Sequence, residues 1–300
     1  MTISTDTFAI DIDCPPALAG YLGQLLWTIE GVTGVMELYS NPDAAETTPD
    51  DLDVIRVFAL PNPLVLDNLR QMLALEPALK ECQIHAQHNL KEEDWAEHWK
   101  KYWHVTHISD RITICPGWER DAYTPKADEM VITLDPGSAF GTGAHATTSL
   151  MLKAIEVLAD EKYFSQLAIL DVGTGSGILA LACALMGCRN ITAIDTCPNA
   201  VEVTRENATI NNVQAITAST TPLADLCLTP YDVILANIIA PVILELMPEL
   251  VRRLLPNGVL VLGGLIGKNL PDIEQSLKQH GLTNIVQQRD GDWYAVIARR

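Results

Sequence analysis

Three hundred residues, 48% of them hydrophobic, suffice for one large core or two ordinary ones. A formal net charge of −18 argues against a nucleic-acid partner, because a phosphate backbone is bound by clustered Lys and Arg. Seven scattered cysteines, with no C-x-x-C pair and no repeated spacing with histidine, give no zinc or disulfide framework and suit a reducing cytosol.

The chain opens on MTISTDTFAIDID, which lacks the basic start and apolar run of a signal peptide, so a cytoplasmic protein is expected. FAIDID reads as a strand and ALAGYLGQLLWTIEG as an amphipathic helix. GVMELY and DVIRVFAL read as strands separated by the turn-rich SNPDAAETTPDD. A second helix, PLVLDNLRQMLALEP, and a last strand, CQIHAQHN, complete a β-α-β-β-α-β order over residues 1–90. That is the order of a small α+β, ferredoxin-like unit, which is a module rather than an activity. The unit holds 13 Asp or Glu against 3 Lys or Arg, a net of −10 that leaves −8 for the remaining 210 residues. Such charge either keeps a surface solvated or docks a basic partner, and charge alone does not separate the two.

In KEEDWAEHWKKYWHV, Trp95, Trp99 and Trp103 fall four residues apart, on one face of a helix. A packing stripe explains them better than a ligand box, and residues 91–106 read as a helical linker. Next comes LDPGSAFGTGAHATTS. Gly137, Gly141 and Gly143 make this loop pliable, and Thr147, Thr148 and Ser149 suit the start of the helix that MLKAIEVL continues. Taken alone, His145 is as readily a structural histidine as a ligand.

From Leu167 the rhythm becomes strand, helix, strand, helix. LAILDV, NITAID, AITAS, YDVILAN and GVLVLGGL are apolar strands, joined by helices such as GILALACALM, PNAVEVTRENATINN and PVILELMPELVRRLL. That alternation indicates a parallel sheet covered on both faces. The most apolar window, VILANIIAPVILELM, is about five residues short of a membrane span. It also carries Asn237, Pro241 and Glu245, so a buried strand followed by a helix is expected, and no membrane partner. TNIVQQ and WYAVIARR flank RDGD, a hairpin signal that makes the last two strands antiparallel.

LDVGTGSGILALA joins an apolar strand to a helix through three glycines, a junction where a ligand can approach the backbone. A triphosphate-binding loop needs a lysine, and none occurs from residue 163 to 267. A nicotinamide site is harder to dismiss. GSGILA from Gly175 satisfies a relaxed G-x-G-x-x-A pattern, and Asp195 lies where a ribose-binding acid belongs. Against it, Gly173 and Thr174 are surplus to that frame, and Asp171 would sit beside a pyrophosphate. S-adenosylmethionine has no phosphate and suits the loop better. Asp195 can accept both ribose hydroxyls, and Asp171 is welcome near the cofactor's ammonium group. Asn237 ends the fourth strand, where a buried amide could also serve only to satisfy backbone groups.

FGTGAHATT, LDVGTGSGILALA and LANIIA, in this order behind a small acidic domain and a tryptophan-rich linker, resemble the bacterial ribosomal protein L11 methyltransferases. The resemblance covers essentially the whole chain. It implies a class I, Rossmann-like α/β methyltransferase domain over residues 107–300, preceded by the ferredoxin-like domain as substrate-recognition unit. It implies methyl transfer from S-adenosylmethionine to lysine ε-amines and the N-terminal α-amine of a basic large-subunit ribosomal protein, with no direct nucleic-acid requirement. Family contacts map onto Thr148, Gly173, Asp195 and Asn237, the last near the reacting centre and the expected catalytic residue. Phe140, Gly141, Thr142, Gly143, His145, Asp171 and Gly175 complete the expected cofactor-binding set. One departure is Ala146, where many relatives carry proline. A methyltransferase acting on a nucleobase amine is the rival reading. Such enzymes follow the strand-four asparagine with prolines and a stacking ring, whereas Ile238, Ile239 and Ala240 follow Asn237 here.

Overall fold

Alternating side chains build the first sheet of the computed structural model, which describes residues 7–26, 29, 31–38, 53–59, 62–90, 104–134, 146–160, 163–227 and 229–300. Along β1 (Thr7–Cys14), Ile10, Ile12 and Cys14 enter a core shared with Leu22 and Leu26 of α1 (Pro16–Leu26). β2 (Val32–Leu38) and β3 (Asp53–Ala59) follow, then α2 (Pro63–Leu75), which adds Val65 and Leu69 to that core. Asn62 caps α2 by accepting the Leu64 amide at 3.0 Å, and Pro63 takes the first helical position, where a missing N–H costs nothing. β4 (Gln83–Leu90) completes an antiparallel sheet of order β2-β3-β1-β4. On the sheet's other face Asp11 stands directly opposite Arg56 and accepts both guanidinium N–H groups, at 2.6 and 2.8 Å. The β-α-β-β-α-β order is as expected. The tryptophan stripe, the turn of residues 40–51 and the loop of residues 135–145 lie outside the described residues.

Contacts divide the chain into two units, Met1–Trp103 and His104–Arg300. The second opens with a three-stranded sheet that the sequence pattern does not announce: β5 (Thr106–His107), β6 (Ile112–Pro116) and β7 (Met130–Leu134). Glu129 ties it together, accepting hydrogen bonds from Thr113, Tyr123 and the Lys126 amide. Chief among these donors, the Thr113 hydroxyl holds the Glu129 carboxyl down to about 2.

The main sheet comes next. After α3 (Ala146–Ala159) come β8 (Ala168–Val172), α4 (Ile178–Leu185), β9 (Asn190–Ile194), α5 (Pro198–Ile210) and β10 (Ile216–Ser219). Then follow β11 (Tyr231–Asn237), α6 (Ala240–Arg253), β12 (Leu254–Ile266), α7 (Leu270–Gln279), β13 (Thr283–Asp290) and β14 (Trp293–Arg299). The strand order is β10-β9-β8-β11-β12-β14-β13, with the first five parallel and the last two antiparallel. The expected terminal hairpin is there, turning at Gly291 with φ +56°. α7 is an element beyond those the sequence pattern picks out.

The apolar window of residues 233–247 divides between β11 and the amphipathic α6, whose Ile243, Met247 and Leu250 are fully buried beneath the sheet. No described helix is long and apolar enough to cross a membrane. The order in which strands are added fixes where a ligand can sit. The chain lays down strands outward from β8 on one side, then returns to add β11 on the other. Ligands of open α/β sheets bind at the carboxyl ends of strands flanking such a reversal.

Candidate functional site

β8, β9 and β11 bring three chemically different groups to their carboxyl ends. Beyond β8 the chain turns through Gly173, Gly175 and Gly177, all at positive φ (+73°, +55° and +81°). The turn is hung from β9: the Gly173 and Thr174 amides both donate to the Ile194 carbonyl, at 2.8 and 3.0 Å. A Cβ on Gly173 would collide with Cγ2 of Ile238. Gly173→Ala is therefore expected to combine left-handed backbone strain with overpacking and to destabilise the fold by about 2–4 kcal/mol. Thermal unfolding checks this, and Ile238→Ala in the same chain should restore only the packing share.

Asp171, near the end of β8, is fully buried. Its Oδ2 accepts the Thr174 hydroxyl at 2.7 Å, while Oδ1 has no hydrogen-bond partner among the described residues. Burial pushes its carboxyl up to about 7, against the pull of that hydrogen bond. An orphaned oxygen in a buried carboxylate is costly unless something with a proton to donate comes to it.

Asp195 follows β9 and is half-buried. Oδ2 accepts the Gly175 amide at 3.0 Å, and Oδ1 accepts the Cys197 amide at 2.9 Å. Each oxygen keeps a further lone pair. One carboxylate thus locks the glycine turn to the start of α5, and its orientation is set before any ligand arrives.

Asn237 is the last residue of β11. Its Oδ1 accepts the Thr147 hydroxyl at 2.8 Å, and its Nδ2 faces the Thr148 hydroxyl at 3.4 Å. Thr147 and Thr148 are both fully buried in the first turn of α3, at the helix start expected of them. The Thr147 hydroxyl also accepts the Gly264 amide of β12, at 2.6 Å. Gly263, paired with Asn237 in register, leaves the amide its room: a Cβ there would lie 2.5 Å from Oδ1 and 2.8 Å from Met151.

The structure thus gathers Asp171, Gly173, Gly175, Asp195, Asn237 and Thr148 at neighbouring strand ends. Phe140, Gly141, Thr142, Gly143 and His145 lie outside the described residues. Three residues that sequence reasoning misses support the arrangement from α5. Thr204 donates to the Gly175 carbonyl at 3.0 Å, and Asn207 donates to the Ser176 carbonyl at 2.9 Å. Asn211, just beyond the helix, holds both backbone groups of Thr133 in β7, at 2.8 and 2.5 Å. Thr147 likewise reads in the sequence only as a helix-start residue, although its hydroxyl bridges three elements.

Comparison with known proteins points one way. The family model described as "Ribosomal protein L11 methyltransferase" matches residues 28–300. The protein of that name from Listeria monocytogenes serotype 4b is 36% identical over 267 residues, covering 85% of this chain and 82% of its own. Its counterpart from Geotalea uraniireducens is 41% identical over 213 residues, covering 68% of this chain and 67% of its own. Among solved structures, the ribosomal protein L11 methylase of Lactobacillus delbrueckii subsp. bulgaricus superposes with a TM-score of 0.61 at 36% identity. That match covers 66% of this chain and 99% of the other.

Proposed function

Because this chain belongs to the ribosomal protein L11 methyltransferase family, we propose that it methylates lysine ε-amines and the N-terminal α-amine of ribosomal protein L11. Its cofactor, S-adenosylmethionine, supplies a methyl group on a sulfonium that is already an excellent leaving group. The observation that carries the reading is the gathering of one carboxylate, a three-glycine turn and one amide at the ends of β9, β8 and β11.

These residues fit that cofactor. Asp195 would accept the two ribose hydroxyls on the lone pairs its backbone hydrogen bonds leave over. The orphaned Oδ1 of Asp171 would receive the ammonium of the methionine end, directly or through water. Gly173 and Gly175 would present bare backbone to the same end, and Thr148 and Asn237 would stand at the reacting centre. On sequence grounds alone, the proposal extends to Phe140, Gly141, Thr142, Gly143 and His145.

A lysine amine, with an ordinary pKa of about 10.4, must lose its proton before it can attack. A water-poor pocket beside positive charge favours the neutral amine by desolvation and by repulsion. None of the carboxylates in the three motifs is an obvious general base, so alignment carries most of the chemistry. Asn237, held by Thr147 with Oδ1 as acceptor, would take an N–H of the amine and aim its lone pair. Asn237→Ala is expected to lower kcat about a hundredfold while the circular dichroism spectrum stays unchanged. Unchanged turnover would remove Asn237 from the site.

Asp171 makes stability depend on pH. Its carboxyl rises from 3.8 to about 7 on folding. Between those values the folded chain keeps a proton that the unfolded chain has lost, so stability falls as pH rises towards 7 and levels off above it. Asp171→Asn is expected to flatten that part of the thermal-midpoint profile. Bound cofactor, with a cation beside Oδ1, should shift the window to lower pH. An identical profile in the variant would show that Asp171 does not titrate there.

The test of the whole reading offers the enzyme labelled cofactor together with either free ribosomal protein L11 or naked ribosomal RNA. Mass spectrometry should find label on amines of the protein and none on the RNA. Label on RNA alone would overturn the proposal.

A further inference from the structure

Cys14 and Cys82 are separated by more than sixty residues of chain, yet their sulfurs stand 3.3 Å apart. Both are buried thiols. The approach comes from strand pairing. β1 and β4 are antiparallel, with Asp13 opposite Gln83, so the next step of the same register sets Cys14 against Cys82. Opposed residues of an antiparallel pair lie about 4.5–5.5 Å apart at Cα, inside the span a disulfide bridges.

Cys82 is the less buried of the two. Cys82 is 6% exposed and lines an open cleft of about 640 Å³ between the end of α2 and β4, whereas Cys14 lies wholly inside the core. Arg70 and Lys80, two of only three Lys or Arg in residues 1–90, line the same cleft. A carboxylate-bearing reagent therefore meets two of the unit's few cations there, although Asp67 pairs with Arg70 and Glu81 adjoins Cys82. The hydrogen bond with Cys14 also holds the Cys82 thiol below its ordinary pKa, which raises the share of thiolate.

We propose that Cys82 and Cys14 form a dithiol that small anionic disulfides, glutathione disulfide among them, oxidise to an intramolecular bridge. In the first step the Cys82 thiolate attacks one sulfur of the small disulfide. A Cys82–glutathione bond forms, the original S–S bond breaks, and one glutathione thiolate leaves and takes up a proton from water. In the second step Cys14 gives up its proton and attacks the Cys82 sulfur, expelling the second glutathione. The two cysteines lose two electrons, and one glutathione disulfide becomes two glutathiones. The bridge closes the β1 and β4 ends of the sheet into a loop that encloses α1, β2, β3 and α2. Restricting the unfolded chain in this way makes the N-terminal unit harder to unfold. This proposal is independent of the methyltransferase reading.

The test treats the full-length chain with glutathione disulfide in a Cys197→Ser, Cys227→Ser background, which removes the two exposed thiols. Unreacted thiols are then blocked and the non-reduced digest is mapped by mass spectrometry. The expected product links the Cys14 and Cys82 peptides, with the thermal midpoint raised and restored by dithiothreitol. Adding Cys14→Ser should stop the reaction at a stable glutathione adduct on Cys82. Replacing Arg70 and Lys80 by Gln should slow oxidation on the order of tenfold at low salt. No Cys14–Cys82 peptide from a chain that is folded by circular dichroism overturns the proposal. So does a Cys14→Ser chain in which Cys82 reacts no faster than buried Cys183.

Discussion

Removing residues 1–90 is expected to abolish methylation of ribosomal protein L11 while leaving S-adenosylmethionine binding unchanged. The two units have separate cores. Ile10, Leu22, Ile55 and Leu69 pack the first, whereas Leu170, Ile234, Ile243 and Leu260 pack the second. Every group proposed to hold the cofactor lies in His104–Arg300 among the described residues. The acid is concentrated in the other unit, with a net of −10 in its first ninety residues. A basic ribosomal protein would be steered and oriented by that field. Docking worth about 4 kcal/mol, once lost, lowers kcat/KM about a thousandfold. In the intact enzyme, kcat/KM should likewise fall as salt is raised, since exposed charges are screened over roughly 10 Å at 0.1 M. Calorimetry with the cofactor and a methylation assay with the protein substrate, run on one truncated preparation, separate the two functions. Full activity of the truncated chain would remove the first unit from substrate recognition.

Asp195→Ala should weaken S-adenosylmethionine binding by two to four orders of magnitude. Two charge-assisted hydrogen bonds to a ribose diol contribute roughly 1.5–3 kcal/mol each. The wild-type carboxylate is oriented in advance by the Gly175 and Cys197 amides, so little ordering remains to be done on binding. Its removal also leaves those two amides without an acceptor, and part of the loss will come through the glycine turn. Asp195→Asn separates the contributions. Its single carbonyl oxygen can keep one amide but cannot accept from two hydroxyls as a carboxylate does. Calorimetric affinity, paired with the thermal midpoint of the cofactor-free chain, distinguishes lost contact from lost structure. Unaltered affinity in Asp195→Ala would end the cofactor assignment.

Much of this is legible in the residues, for identifiable reasons. Continuous apolar strands alternating with helices announce a parallel sheet, and glycines clustered at a strand end mark the turn that α4 follows. Asp195 and Asn237 stand out because each closes a strand. Less legible are groups whose partners are remote in sequence. Thr204, Asn207 and Asn211 recur at helical spacing on α5 and just past its end, and a polar stripe of that kind reads as a solvated face. Here the helix turns it inward, against the glycine turn and β7. The small sheet escapes notice because β6 and β7 are parallel yet joined by an irregular segment, residues 117–129, instead of a regular helix. Cys14 and Cys82 look scattered for the same reason: only the strand register brings them together.

Gly263 is assigned no ligand contact, yet it decides whether Asn237 can stay where it is. Any heavier side chain at that position must displace the Asn237 amide and shift the Met151 side chain. Position 263 is thus epistatic to the reaction itself: the glycine can be lost only together with compensating changes around Asn237 and Met151.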